Sequence, residues 1–230
     1  MRGLILSWIL LVLMACAKES NLPSPDSNQT YRYLALGDSY TIGTAIGQDS
    51  SYSALLADSL RKSSQDSIFY QVIATNGWTT ADLQAGIVEA APDSNFDLVS
   101  ILIGVNNQYQ GRSITEYRRE FKDLALQAIA FADGDPRKVM VFSIPDWGVS
   151  PAGSGRNRTQ TSIEINAFNA AQKAIADSLN LDFFDITTSS RKGLQDPSLI
   201  ASDGLHFSAK MHLEWMRANY AAWYQKLIRP

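Results

Sequence analysis

The stretch YRYLALGDSYTIG, residues 31–43, decides how this chain reads. Its apolar run Tyr33-Leu34-Ala35-Leu36 stops at Gly37, the pattern of a strand covered on both faces. Ser39 stands just past the carboxyl end of that strand. In open α/β sheets ligands bind at this edge, where loops vary while the strands hold them in place. A serine after a strand is most often a helix cap or turn former. It takes on a chemical role only if the rest of the chain supplies partners.

A serine hydroxyl is a weak nucleophile until a base takes its proton. The base must be oriented by a third group, and the oxyanion that forms needs donors. The segment SDGLH, residues 202–206, sets Asp203 three residues before His206, one of only 2 histidines in the chain. The segment GVNN, residues 104–107, follows an apolar strand at 98–103 and offers the Asn106 side-chain amide as a donor. Asn76-Gly77 ends a third strand, at 68–74.

Taken in order, the blocks GDSY (37–40), Asn76-Gly77, GVNN and DGLH (203–206) resemble those of the SGNH hydrolases, also called GDSL-type esterases and lipases. The resemblance runs from about residue 31 to the C-terminus. It implies a serine-dependent hydrolase of carboxylic esters, whether acyl ester, acetyl ester or thioester, that works through an acyl-enzyme without a cofactor. The implied catalytic residues are Ser39, Asp203 and His206, and the implied oxyanion hole is Ser39, Gly77 and Asn106. Family members often carry a further glycine about where Thr80 stands, so Gly77 and Thr80 are alternative backbone donors. Asn107 stands where the family often has Asp, a departure expected to alter supporting hydrogen bonds and to leave the chemistry unchanged.

With 230 residues, 45% hydrophobic and 19% charged, the chain is long enough for one sizeable core. The hydrolase domain is expected over residues 31–230. A net charge of −3 gives no reason to expect nucleic acid. The small basic clusters Arg118, Arg119, Lys122 and Arg156, Arg158 read as solvated faces. At the start, Arg2 precedes an apolar run, residues 4–15, of 12 residues, too short to cross a bilayer, which needs ~20. Leu13-Met14-Ala15-Cys16 resembles the lipobox of bacterial lipoproteins, with Met14 an unusual choice at its place. Residues 1–15 are therefore expected to be a signal peptide, Cys16 a lipidated residue, and 16–30 a tether. The resulting expectation is a membrane-anchored protein of the bacterial cell envelope. Cys16 is the 1 cysteine, so the chain can form no internal disulfide and no cysteine-based metal site, and no ligand cluster suggests metal-dependent hydrolysis.

Beyond Ser39, helical and strand patterns alternate. Tyr52, Leu55, Leu56 and Leu60 share a helical face, Thr79 or Thr80 can cap a helix through Leu83 and Ile87, and Tyr117, Phe121, Leu124, Ala128 and Phe131 mark another. Further strands are expected at 139–144 and 181–186. Helices are expected around Ile165, Phe168, Ala171, Ile175 and Leu179, and over 208–227. Strands alternating with helices predict a three-layer α/β/α sandwich on a five-stranded parallel sheet, because each parallel connection must cross over through a helix. The resemblance implies the flavodoxin-like order 2-1-3-4-5, with Ser39, Gly77 and Asn106 on loops at one edge.

The Pro-, Gly- and Ser-rich loop 145–158, which contains Trp147, is expected to wall the substrate cleft. Tyr40, Trp78 and Tyr109 adjoin the proposed site and read mainly as packing. His212, without a carboxylate at the Asp203–His206 spacing, reads as structural or surface. Two other classes compete with the enzyme. A catalytically silent binding lipoprotein on the same fold is disfavoured by the complete set of candidate residues. A flavin or nucleotide binder is disfavoured because neither G-x-G-x-x-G nor a P-loop occurs. The G-x-S-x-G elbow of α/β-hydrolases is also missing, since residues 37–41 read GDSYT.

Overall fold

The computed structural model describes residues 29–64 and 66–228. The proposed signal peptide, Cys16 and nearly all of the proposed tether lie outside the described residues. Five parallel strands form one sheet in the order β2-β1-β3-β4-β5. They are β1 (Thr30–Gly37), β2 (Ser67–Ala74), β3 (Leu98–Leu102), β4 (Val139–Phe142) and β5 (Asp182–Phe184). β1 lies between β2 and β3, with Leu36 opposite Ile73 on one side and Ile101 on the other. Leu34, Leu36, Val99 and Ile101 are fully buried, as the unbroken apolar runs require of a sheet covered on both faces.

The connecting helices are α1 (Ser39–Ile42), α2 (Tyr52–Ser64), α3 (Thr80–Ala90), α4 (Val105–Tyr109), α5 (Ile114–Phe131), α6 (Arg158–Ser178), α7 (Thr187–Ser190) and α8 (Ala209–Ile228). α2 packs against α8, whereas α3, α5 and α6 pack side by side in a second layer. The heptad-like spacing in α5 buries Tyr117, Phe121, Leu124 and Ala128. Thr79 caps α3 in a reciprocal box with Asp82.

Two expectations need correction. β5 covers only three residues of the apolar run at 181–186. It stops early because the Ser143 hydroxyl accepts the N–H groups of Ile186 and Thr187, at 2.9 and 3.0 Å, and so turns the chain out of the ladder. Ser39 and Asn106 sit in the first turns of short helices, α1 and α4, and not on open loops. Gly77 alone of the three is in a turn, with φ 80°.

Candidate active site

Gly37 ends β1 because nothing larger fits. A Cβ there would stand 2.0 Å from Thr41 Oγ1 and 2.4 Å from the Leu102 carbonyl. The close approach lets the chain turn at once into α1, with Asp38 as the cap. The Asp38 side chain accepts the Tyr40 N–H at 3.0 Å. Ser39 is thereby fixed as the first residue of the helix, and its own N–H makes no hydrogen bond to any described residue. β3 ends in a similar way at Gly104, whose φ of 125° favours glycine and whose Cβ would collide with the Tyr117 ring. The chain passes from there into α4, which carries Asn106 and Asn107.

The third contributor arrives from the far end of the sequence. Asp203 Oδ1 accepts the N–H groups of Leu205 and His206, both at 3.0 Å, and Asp203 Oδ2 accepts the His206 Nδ1–H at 2.5 Å. Burial pushes the Asp203 carboxyl up, but those hydrogen bonds outweigh it, and the group titrates below the usual carboxylate range. Because Nδ1 is taken by the carboxylate, Nε2 is the free ring nitrogen of His206. The His206 ring meets the edge of Tyr40, with centroids 5.6 Å apart. Ala152 N–H donates to the Gly204 carbonyl at 2.9 Å, which ties this turn to the loop at 145–158.

A cavity of about 170 Å³ unites the pieces: Ser39, Tyr40, Asn106, Tyr109, Trp147 and His206 line it, with Val105 and Leu205. Ser39, Asn106 and His206 thus share one cavity, although they are far apart in sequence. The loop at 145–158 contributes Trp147, as expected for a cleft wall. Trp147 is buried and its Nε1–H donates to Gln108 Oε1 at 2.8 Å, while Gln108 Nε2 donates to Glu164 at 2.7 Å.

The candidate oxyanion donors differ in availability. One N–H of the Asn106 amide donates to the Trp78 carbonyl at 2.9 Å, which holds the side chain and leaves its second N–H available. The Thr80 N–H is spent, since it donates to Asn107 Oδ1 at 3.0 Å in the buried interior. The exposed Gly77 N–H has no acceptor among the described residues, yet Gly77 does not line the cavity. Its turn is joined to the chain just past α1 by a hydrogen bond from the Thr44 hydroxyl to Asn76 Oδ1.

Among the residues around these blocks, Tyr40 and Tyr109 lie differently from their sequence reading, whereas Asn107, Trp78 and His212 keep the supporting roles expected of them. Asn107 knits α4 to α3, donating from Nδ2 to Thr80 Oγ1 at 2.7 Å, and Thr80 Oγ1 in turn donates to Glu120 at 2.5 Å. Trp78 covers Gly86 of α3, whereas Tyr40 and Tyr109 are cavity walls. His212 is buried, and its Nδ1 accepts the Tyr52 N–H at 3.1 Å. Gln108 and Leu205 had no signal of their own beyond adjoining the GVNN and DGLH blocks.

The GDSL-like Lipase/Acylhydrolase family matches residues 35–213, a span that includes all four sequence blocks. The chain belongs to this family. Its fold is that of the esterases the family contains. The structure titled TesA superposes with a TM-score of 0.66 at 19% identity, covering 85% of this chain and 99% of that one. A psychrotrophic esterase, EstA, from Pseudoalteromonas sp. gives 0.61 at 17% identity over 86% and 99% of the two chains. Axe2, an acetylxylan esterase from Geobacillus stearothermophilus, gives 0.64 at 20% identity over 84% and 94%. A search of curated proteins finds no match. Membership places the chain in a family of lipase- and acylhydrolase-type ester hydrolases, and the esterase structures share its fold.

Proposed function

We propose that this GDSL-family protein hydrolyses short-acyl carboxylic esters through Ser39, His206 and Asp203. The observation that carries the reading is that Ser39, Asn106 and His206 line one cavity while Asp203 holds the far nitrogen of His206. In this mechanism Ser39 Oγ attacks the ester carbonyl and His206 Nε2 takes its proton. The C=O electrons move onto oxygen, where the free N–H of Asn106 and the Ser39 N–H donate to them, with the Gly77 N–H as the further candidate donor. Collapse of this intermediate breaks the bond to the alcohol, which leaves with the proton from His206. Water, activated by the same nitrogen, then releases the acid and restores Ser39. A cavity of about 170 Å³ holds an ester group and few further carbons, which favours acetyl and other short acyl groups, in oxygen esters and thioesters alike, over long chains.

A fluorophosphonate should label Ser39, read by peptide mass spectrometry, and Ser39→Ala should lose both labelling and turnover of p-nitrophenyl acetate. Labelling elsewhere, or hydrolysis that survives Ser39→Ala, would overturn the reading in favour of a catalytically silent binding protein or another nucleophile.

The same proposal anchors the domain to the bacterial envelope through lipid on Cys16. Labelled palmitate should enter the wild type and not Cys16→Ser; equal labelling of both removes the anchor from the proposal.

A further inference from the structure

Arg156 was read from the sequence as one of a pair of solvated cations, but its guanidinium lies over two aromatic rings of the cavity wall. Its central carbon is 4.8 Å from the Tyr109 ring centroid and 5.8 Å from that of Trp147. The two rings meet edge to face with centroids 5.2 Å apart. Beneath them the support is rigid, because Trp147 is held by Gln108 and Gln108 by Glu164. A guanidinium stacked in this way keeps its in-plane donors free and has already given up most of its side-chain freedom.

Those donors have no hydrogen-bond acceptor among the described residues. The Arg156 side chain makes no hydrogen bond and no ion pair with any described residue. Its charge, after the hydrogen bonds from Gln160 at 2.9 Å and Gln108 at 2.7 Å, helps to hold the Glu164 carboxyl below its ordinary range, but the two side chains share no hydrogen bond and no ion pair. Tyr109 is 48% exposed, the most open of the residues that line the cavity. With a short acyl group in the cavity, the alcohol half of an ester leaves past Tyr109 and toward Arg156.

We propose that Arg156 is a specificity-determining residue that binds a carboxylate or phosphate on the alcohol half of the substrate. The inference rests on the serine-esterase reading above, which fixes the end of the substrate that lies in the cavity. The class of substrate is then a short-acyl ester of an anionic alcohol, such as an acidic saccharide or a phosphorylated polyol. The planar fork of Arg156 matches both anions, and its stacking lowers the ordering cost of binding either one.

The test uses two aryl acetates of one shape, 4-acetoxybenzoate and its neutral methyl ester, and compares kcat/KM between proteins so that intrinsic reactivity cancels. Arg156→Gln should lower kcat/KM for 4-acetoxybenzoate about tenfold, mainly through KM, as expected for loss of a charge-assisted hydrogen bond. The methyl ester should change less than about twofold, and Arg156→Lys should recover part of the loss. Raising salt to ~1 M should shrink the wild-type preference and leave the Arg156→Gln ratio unchanged. Equal losses on both probes would overturn the proposal and reduce Arg156 to a prop for Tyr109 and Trp147. An unchanged ratio would make it a solvated charge. Acetyl glycerol phosphate and an acetylated uronic acid, run in parallel, separate phosphate from carboxylate. Failure of the serine-esterase reading has a different signature, since Ser39→Ala would then turn over the neutral methyl ester as fast as wild type.

Discussion

The rim of the cavity and the buried interior are built from the same residue types put to opposite uses. On the rim stand Asn106 and His206, with Asp203 behind the histidine; Asp38, His212 and Asn107 are buried. The Asp203 side chain is 33% exposed, every oxygen is hydrogen bonded, and it titrates below the carboxylate range. Asp38 is 1% exposed and its Oδ2 has no partner among the described residues. Burial, only partly offset by the Tyr40 N–H, pushes its carboxyl up to about 7. His212 shows the same inversion, since burial and, to a lesser degree, the nearby His206 lower it to about 3. Side-chain chemistry alone therefore does not mark the site. Hydration and hydrogen-bond supply decide whether an aspartate or a histidine is a charged, orientable group or a neutral piece of core.

The histidines offer the largest expected effect. His206→Ala should lower kcat on the order of 10⁶-fold, and Asp203→Asn on the order of 10⁴-fold, because the first removes the base and the second only its orientation. His212→Ala should leave kcat/KM of the folded protein within a few-fold but cost about 2–4 kcal/mol of stability, from the stranded Tyr52 N–H and the void beside Trp215. Urea melts and ester assays on the three variants check the contrast. Loss of turnover in His212→Ala with full activity in His206→Ala would exchange the two roles.

The asparagines should split in the same way with smaller amplitudes. Asn106→Ala is expected to lower kcat by on the order of 10²-fold with little change in KM or melting temperature, since its amide acts on charge that develops in the transition state. Asn107→Ala should instead cost ~1–3 kcal/mol of stability, because it strands the buried Thr80 N–H, with a loss in kcat of less than about tenfold. A KM effect alone from Asn106→Ala would turn it into a ground-state contact.

How much of this division could be read in the sequence follows from which groups act locally. The run ending at Gly37, the helical spacing in α5 and the Asp203–His206 offset are local, and they were legible. The strand order 2-1-3-4-5 came through the family resemblance, for periodicity says nothing about which strands are neighbours. Asp38 caps α1. Its burial comes from tertiary packing that no residue near it announces. The basic pair at 156 and 158 carries no sign that Arg156 meets Tyr109, because that contact joins a loop to the end of α4, almost fifty positions earlier. Thr80 and Gly77 were equal candidates until the Asn107 side chain was seen to consume the Thr80 N–H.

The smallest effect on turnover belongs to the buried pair, which is tested in stability instead. Asp38 is raised, so between pH ~4 and ~7 the folded state keeps a proton that the unfolded state has lost, and stability falls as pH rises, by about 1.4 kcal/mol per unit. His212 is lowered, so between pH ~3 and ~6.5 the unfolded state holds the extra proton, and stability rises with pH at the same rate. Over their shared window the two slopes cancel. Asp38→Asn keeps an acceptor for the Tyr40 N–H and is isosteric with the neutral acid, so at pH ~4 it should match wild type in stability and at neutral pH in kcat to within a few-fold. With its opponent gone, the His212 slope should emerge: the variant should gain on wild type by about 1.4 kcal/mol per pH unit from pH ~4 upward and level off near pH 7. Denaturant melts at intervals across that range measure the difference directly. A constant difference would mean that Asp38 is ionised in the folded protein throughout, and the line drawn between the rim and the buried interior would fail at its best-buried member.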